Sequence, residues 1–188
     1  KYFINDLGIS KDKKFLYLPS YAEGEYKLPG SIDNKTFDLV FAGNIGPAQS
    51  VETIVEAANI LKKNNNIFFH IVGDGLNRKN CEAKKYNLSN IKFYGYFDVN
   101  EMSRFYKMAD AFLITMVDNE VVNSTLPAKV QSYMLAGKPI IGAINGEVKD
   151  VIKEADCGLC CNSLDSVAFA QMILKASTSL SLDKWGRN

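Results

Sequence analysis

Residues 37–73, FDLVFAGNIGPAQSVETIVEAANILKKNNNIFFHIVG, contain the pattern that decides the fold of this protein. The stretch begins and ends with short apolar runs, FDLVFAG and IFFHIVG, and each run closes on a glycine. The apolar residues between the two runs recur at the spacing of one helix face. They are Val51, Ile54, Val55, Ala58 and Leu61. A strand, a helix and a second strand in this order form a parallel β-α-β unit, the building block of an α/β sheet.

The same alternation continues beyond this unit. We predict six strands, all short and continuously apolar, with a helix after each one. A parallel sheet that is buried on both faces requires such strands, and right-handed crossovers place helices on both sides. The sequence therefore predicts an α/β, Rossmann-like, doubly wound parallel sheet of about six strands. The predicted strands are 37–43, 67–73, 91–95, 111–115, 139–143 and 158–161, and the predicted helices are 48–64, 77–87, 99–109, 126–136, 147–155 and 163–176.

Length and composition restrict the class of protein. The chain has 188 residues, of which 47% are hydrophobic and 23% charged, as in a single globular domain. Its net charge of +1 argues against a nucleic acid as partner. No apolar run reaches the roughly 20 residues that span a bilayer, and the first residues do not resemble a signal peptide. We expect a cytoplasmic protein.

The first 36 residues differ from the remainder. KYFINDLG has the pattern of a helix end that Gly8 closes, and FLYLPSYAEGEYKLPG (15–30) is rich in Pro, Gly and polar residues. We predict that residues 1–36 are the end of a preceding domain and a linker, and that residues 37–188 form the Rossmann-like domain. Because the chain starts at Lys1 rather than Met, we expect it to be a fragment of a larger protein.

The four cysteines are not expected to bind a metal or to form a disulfide. Cys157, Cys160 and Cys161 lie in one short segment, and Cys81 with the lone His70 supplies no second ligand pair at zinc spacing. Cys160 and Cys161 should point to opposite faces of a strand. We predict reduced, packed cysteines, no bound metal, and a buried His70 that does not act as a base.

Ligands of an open parallel sheet bind beyond the carboxyl ends of its strands. The turn GNIGPAQS (43–50) is expected to leave free backbone N–H groups near a helix N-terminus, where an anion is stabilised, although its glycines could equally serve only the turn. The turn GDGLNRK (73–79) has two further glycines. FYGYF (93–97) places aromatic rings in a loop, where they could stack on a nucleobase or cover the sheet end.

The segment VVNSTLPAKVQSYMLAGKPII (121–141) predicts a helix with an unusual start. Asn123, Ser124 and Thr125 are candidate caps. Lys129 in the first turn opposes the helix dipole, at a small cost on an ordinary surface helix. A bound anion would reverse the sign of that effect, so this helix start also predicts an anion-binding site.

Four segments in order resemble a known family: FAGNIGPAQSVETIVEAANIL, FHIVGDGLNRK, IKFYGYFDVNEMSRFYKMADAFLI and STLPAKVQSYMLAGKPIIGAINGEVKDVIKEADCG. Together they resemble the C-terminal, donor-binding half of a family-4 glycosyltransferase with the GT-B fold. The subgroup is that of bacterial capsule, O-antigen and amino-sugar transferases. The resemblance covers about residues 37–161.

The resemblance implies a retaining transfer of a hexosyl or acetamidosugar unit, without a bound metal, from a nucleotide-diphosphate sugar for which UDP is favoured. The acceptor would be a glycan or a lipid-linked sugar in surface-polysaccharide synthesis, held by the missing N-terminal domain. This fragment alone is expected to be inactive. Contact with the inner membrane face is expected only for the full-length protein.

The resemblance also implies two groups of binding residues, and it assigns no catalytic residue. Ser124 and Ser132 occupy the positions at which many family members carry two glutamates. The residues implied for the donor diphosphate and sugar are Gly43, Asn44, Gly46, Asn123, Ser124, Thr125 and Lys129. The residues implied for the base and ribose are Gly73, Gly75, Gly95, Tyr96, Phe97 and Ser132.

Two other functions remain open at this point. One is a sugar-nucleotide epimerase with the same fold, which the scarcity of histidine disfavours. The other is a non-catalytic nucleotide-sugar-binding subunit, which the two serines would permit. A nicotinamide-dependent dehydrogenase is disfavoured because no GxGxxG follows the first strand, and a receiver domain is disfavoured because that strand has no acidic cluster.

Overall fold

The structure of the chain is a computed structural model that describes residues 8–10, 12–14, 36–85, 87–179 and 182–187. The helix end predicted before Gly8 and most of the predicted linker lie outside the described residues. The division of the chain at residue 36 therefore stays a prediction, although the first strand does begin at Phe37.

Six parallel strands form one sheet in the order β3-β2-β1-β4-β5-β6. Each predicted strand is confirmed, and the boundaries differ by one residue at most. The order of the strands reverses between β1 and β4, which is the topological switch point of a doubly wound sheet. The strands are β1 (Phe37–Ala42), β2 (Ile67–Val72), β3 (Ile91–Gly95), β4 (Ala111–Thr115), β5 (Ile140–Ala143) and β6 (Gly158–Cys161).

The helices of the described residues follow the predicted order, with two additions. The six predicted helices are confirmed in shorter form, and two of them follow 3-10 turns at Pro47–Gln49 and Val99–Glu101. Two short helices, α4 and α8, were not predicted because neither is long enough to show a helical period. The helices are α1 (Val51–Ile60), α2 (Arg78–Lys84), α3 (Met102–Met108), α4 (Glu120–Asn123), α5 (Ala128–Leu135), α6 (Glu147–Glu154), α7 (Ser166–Ser177) and α8 (Leu182–Arg187).

Alternate residues of the strands build two hydrophobic cores, one on each face of the sheet. Leu39 and Phe41 of β1 pack in the cluster formed with α1, α2 and α7. Val40 and Ala42, which point the other way, pack in the cluster formed with α3, α5 and α6. This arrangement confirms the doubly wound sheet. In the described part of the chain, no helix combines the length and the apolar character needed to span a bilayer.

The cysteines and the histidine lie inside the fold. None of the four cysteines forms a disulfide. Cys161 belongs to one core cluster and Cys160 packs against the other, which confirms their predicted opposite orientation. His70 is buried, and its ring nitrogens lie 2.8 Å from Asp38 Oδ1 and 2.8 Å from the Tyr94 hydroxyl. These contacts tie β1, β2 and β3 together.

Tyr133 of α5 completes the sheet where β1 and β4 separate. The two strands pair only at Leu39 with Ala111 and at Val40 with Phe112. Beyond that point, the Tyr133 hydroxyl accepts a hydrogen bond from Ala42 N–H at 2.8 Å and donates one to Ala42 C=O at 3.0 Å. The Tyr133 ring stacks on Phe112 with centroids 4.2 Å apart. The hydroxyl therefore replaces the missing strand partner.

We predict that Tyr133→Phe lowers the free energy of unfolding by about 2–4 kcal/mol, because it leaves the buried N–H and C=O of Ala42 without a partner. Chemical denaturation of this chain measures the change. Tyr96→Phe is the matched control, since the exposed Tyr96 hydroxyl bonds only to Asp98 among the described residues, and its effect should stay within about 0.5 kcal/mol. Equal effects of the two substitutions would contradict the role given to Tyr133.

Candidate functional site

The loops that follow β1 and β2 are in direct contact at the carboxyl edge of the sheet. Gly73 has a φ of 138°, and a Cβ atom there would collide with the carbonyl oxygen of Gly43. The main chain of Ile45 accepts from Asn77 N–H at 2.9 Å and donates to Asp74 C=O at 2.8 Å. Glycine at position 73 is thus required by the approach of the two loops.

Two backbone N–H groups of the first loop are used inside the protein, and the predicted anion seat at this turn stays a prediction. Gly43 N–H donates to Val72 C=O at 2.9 Å, continuing the sheet ladder. Gly46 N–H donates to the Gln49 side chain at 3.2 Å, which also lies 3.4 Å from the Asn44 amide nitrogen. The N–H groups of Gly43 and Gly46 are therefore not free to bind an anion.

A cleft of about 430 Å³ opens at this edge. It brings together residues from both predicted groups, namely Gly43 and Asn44 after β1, Gly73 after β2, and Tyr96 and Phe97 after β3. A neighbouring cleft of about 790 Å³ includes Asn44 and the predicted residues Gly46 and Gly75. Sequence reasoning missed Met102 and Tyr106 of α3, which complete the first cleft, because their spacing on α3 indicates only a core-facing stripe.

The two aromatic residues after β3 have different environments. Tyr96 is 74% exposed, and its hydroxyl lies 3.3 Å from Asp98. Phe97 is half-buried against Phe105, with ring centroids 5.0 Å apart, and the Arg104 guanidinium lies 4.4 Å from its centroid. Phe97 therefore covers the end of the sheet, and Tyr96 presents a ring that a planar ligand could stack on.

Gly95 is enclosed by Arg78. A Cβ atom at Gly95 would lie 3.0 Å from an Arg78 guanidinium nitrogen. Arg78 also forms ion pairs with Asp74 at 3.5 Å and with Glu82 at 3.0 Å. The Arg78 side chain is thus engaged by two carboxylates.

Lys129 is the unusual charged group of this edge. Its Nζ atom is buried and has no hydrogen-bond partner among the described residues. The atom lies 4.1 Å from the centroid of the Phe41 ring. A Cβ atom at Gly43 would lie 3.0 Å from Nζ, and Gly43 is exposed and lines the cleft. Lys129 is not among the residues that line the cleft, and its ammonium group is connected to the cleft by its contact with Gly43.

Burial lowers the pKa of Lys129 to about 8, because the charged form loses its hydration without gaining a counter-ion. The Phe41 ring compensates only in part, since a cation–π contact is weaker than an ion pair with a carboxylate. Lys129 also lies in the first turn of α5, where the positive end of the helix dipole disfavours a positive charge. An anion next to this amine would therefore stabilise its charged form.

Asn123, Ser124 and Thr125 do not cap α5, contrary to our expectation. Pro127 is the N-cap residue and makes no side-chain capping bond. The hydroxyls of Ser124 and Thr125 donate instead to the carbonyls of Val121 and Val122, at 3.0 and 2.8 Å. These residues close α4, a helix that has no recognisable sequence period, and so their local role could not be predicted.

The structure places Asn123 and Ser124 in a separate, acidic cleft of about 640 Å³. Its acidic residues are Asp118, Glu120, Glu147 and Asp150. Asn123 donates to Asp118 at 2.8 Å, and hydrogen bonds from Asn123 and Asn145 lower the pKa of that carboxyl. Repulsion disfavours a phosphate in this cleft.

Thr125 and Ser132 line none of the three clefts described above. The Ser132 hydroxyl is 3.4 Å from Ala128 C=O, one helical turn away. Their predicted contacts with a ligand stay predictions. Within the described ranges, no cluster of His, Cys, Asp or Glu has the arrangement of a metal site.

We predict that stability depends on pH through Lys129. Its pKa is lower in the folded chain, about 8 against an ordinary value of 10.5, so the unfolded chain binds more protons between these values. The free energy of unfolding should therefore rise with pH in this window, by about 1–3 kcal/mol from this group. The difference between the native chain and Lys129→Met, measured by denaturation at several pH values, isolates the effect. A constant difference would contradict it.

Comparison with known proteins agrees with the family resemblance found in the sequence. Residues 24–188 match the family described as glycosyl transferases group 1. The proposed glycosyltransferase WbjE of Pseudomonas aeruginosa is 27% identical over 137 residues, which are 71% of this chain and 34% of WbjE. WcaI of Escherichia coli (strain K12), a proposed colanic acid biosynthesis glycosyl transferase, is 29% identical over 107 residues, 56% of this chain and 26% of WcaI.

Solved structures support the fold. The crystal structure of Anabaena HepE in complex with UDP and glucose matches with a TM-score of 0.68 at 17% identity, over 82% of this chain and 42% of HepE.

The chain spans about a third of the length of WbjE and about a quarter of WcaI. The sheet is one Rossmann-like half of the GT-B architecture, as predicted. The match over residues 24–188 shows that this chain belongs to the glycosyl transferases group 1 family.

Proposed function

We propose that this chain is the donor-binding half of a retaining glycosyltransferase that takes a hexosyl or acetamidosugar unit from a UDP-sugar. The observation that carries the proposal is the buried Nζ atom of Lys129, which has no partner among the described residues and lies beside the exposed Gly43. An unpaired buried cation is costly. A diphosphate seated at Gly43 would supply the missing anion.

The cleft beside Lys129 has features that suit the nucleotide. The exposed ring of Tyr96 is available to stack on a base, and Phe97, Met102 and Tyr106 supply apolar walls. HepE, which shares the fold, was solved with UDP and glucose. This likeness, together with the family, supports a nucleotide sugar as the ligand and UDP as its nucleotide.

The charge distribution of the edge suggests an orientation for the donor. The diphosphate would lie at Lys129, and the sugar would extend towards the acidic cleft at Asn123 and Ser124. Sugar hydroxyls donate hydrogen bonds, so carboxylates such as Asp118 and Glu120 suit them better than they suit phosphate. In this orientation the implied roles of Asn123 and Ser124 concern the sugar rather than the diphosphate.

Catalysis in this proposal rests on stabilising the leaving group. When the glycosidic bond breaks, negative charge develops on the UDP phosphates and the sugar becomes oxocarbenium-like. An ammonium group fixed in a dry site stabilises that charge at little reorganisation cost. Lys129 would thus serve in a transfer without a metal, as the family resemblance implies. Ser124 and Ser132 replace the two acids of the family pattern, which leaves more of donor binding to Lys129.

The remaining parts of the proposal concern the whole protein. The acceptor, a glycan or lipid-linked sugar of surface-polysaccharide synthesis, would be bound by the part of the protein that this chain lacks. The isolated fragment would bind donor but not transfer sugar. We place the reaction in the cytoplasm. The four free cysteines agree with this location, because disulfides are rare in cytosolic proteins. Membrane contact, if it occurs, would belong to the full-length protein.

The binding of UDP by this chain should depend on Lys129. Lys129→Ala should weaken UDP binding about 10- to 100-fold, because it removes a charge-assisted contact, and should change uridine binding less than about threefold. Calorimetry with UDP, uridine and GDP measures both effects. Lys153→Ala on the exposed face of α6 is the matched control and should leave binding unchanged. Equal losses for UDP and uridine would refute the phosphate role, and absence of UDP binding at millimolar concentration would refute the donor site.

Sugar transfer by the full-length enzyme should also depend on Lys129. Lys129→Ala should lower kcat/KM for sugar transfer about 100-fold or more, and a chelator such as EDTA should leave the rate of the native enzyme unchanged. Transfer is followed by the release of UDP with acceptor present and absent. Conversion of the donor without acceptor would favour the epimerase. UDP binding without any turnover would favour the non-catalytic subunit.

A further inference from the structure

Lys129 has no counter-ion in the described part of the chain, although carboxylates stand on the same edge of the sheet. Asp74 accepts from Gly75 N–H at 2.8 Å and pairs with Arg78 at 3.5 Å. Asp118 accepts from Asn123 at 2.8 Å and from Asn145. The nearby acids are therefore committed to other groups, and the ammonium of Lys129 is left without one.

The elements packed around Lys129 are poor in titratable groups. β1 faces it with the Phe41 ring and with Gly43. On its own helix, Tyr133 uses its hydroxyl on Ala42, and burial raises the pKa of that hydroxyl. From α3, the Tyr106 ring lies 6.1 Å from that of Tyr133. The other titratable groups of these elements lie elsewhere, since Asp38 of β1 contacts His70 at 2.8 Å and Arg104 of α3 lies over the Phe97 ring, while Lys107 of α3 is itself a cation. A tyrosine hydroxyl with an ordinary pKa of about 10 supplies no negative charge near neutral pH.

We propose that, at mildly alkaline pH, binding of the donor diphosphate is coupled to the uptake of one proton by Lys129, so that the ligand itself charges the residue that holds it. The inference rests on the proposed function. As the diphosphate enters, the Nζ lone pair of the neutral amine accepts a proton from the solvent and forms an N–H bond. No other bond changes, and the ammonium then pairs with the phosphate oxygens.

The physical reason is that the two states of the site favour different forms of Lys129. Without the ligand, burial without a counter-ion disfavours the ammonium form, and with a pKa of about 8 the amine becomes neutral above that pH. A diphosphate adjacent to Gly43 brings negative charge to Nζ, which favours the ammonium form. Above about pH 8, donor affinity should consequently fall as the pH rises, because fewer empty sites carry the required proton.

The test is calorimetry of UDP binding to this chain in two buffers with different heats of protonation, at about pH 7 and about pH 9, with EDTA present. The phosphate of UDP exchanges few protons at these pH values, since it titrates near pH 6. Uracil loses its N3 proton at alkaline pH, so uridine titrated in the same buffers measures the protons that the base exchanges. The native chain should take up close to one proton per UDP at the higher pH and much less at the lower. Lys129→Arg should bind with no uptake, because arginine stays charged. Lys153→Arg should retain the native uptake.

A second measurement covers the case in which Lys129→Arg fails to bind. In the native chain labelled at the Cε atoms of its lysines, the NMR signal of Lys129 should titrate near pH 8 without UDP and above about pH 10 with UDP bound. UDP binding without proton uptake at the higher pH, or an unshifted lysine titration, would overturn the inference and leave the proposed function standing. Absence of UDP binding altogether would overturn the proposed function, and the inference with it.

Discussion

The separation of β1 from β4 beyond Val40 is the constraint on which the site depends. It exposes a gap in the sheet at Ala42, and buried backbone groups there need a partner. Tyr133 provides it, and its stacking on Phe112 sets the position of α5 against the sheet. Lys129 precedes Tyr133 by one helical turn. α5, whose Tyr133 hydroxyl replaces the missing strand partner of Ala42, therefore also brings an ammonium group to the end of β1.

The gap explains an unusual contact of Lys129. Phe41 belongs to the core cluster on the face opposite α5, yet Lys129 Nζ lies over its ring. A side chain from α5 can reach that ring only where the two strands have parted. In an unbroken sheet, main-chain pairing would close this path. The separation of the two strands at the switch point thus gives the lysine access to the Phe41 ring.

The candidate site could be predicted only in part. The glycine turns, Tyr96, Phe97 and Lys129 follow from residue type and from their place after strands, because parallel strands end at one edge. The use of the loop N–H groups by Gln49 and Val72, and the separation of Asn123 and Ser124 into an acidic cleft, depend on contacts between distant segments. α4 has too few residues for a period, so its closure by Ser124 and Thr125 left no signal in the sequence.

The sequence by itself determined the six strands, their parallel arrangement, the helices on both faces and the family, because apolar periodicity and motif order are local properties of the chain. Only the tertiary structure decided that the Nζ atom of Lys129 lies buried without a hydrogen-bond partner among the described residues, that Tyr133 bonds to Ala42, and that the acidic cleft is separate from the cleft at Gly43. Burial and the pairing of charges arise from segments far apart in sequence, and their energies depend on distances that a residue pattern does not contain.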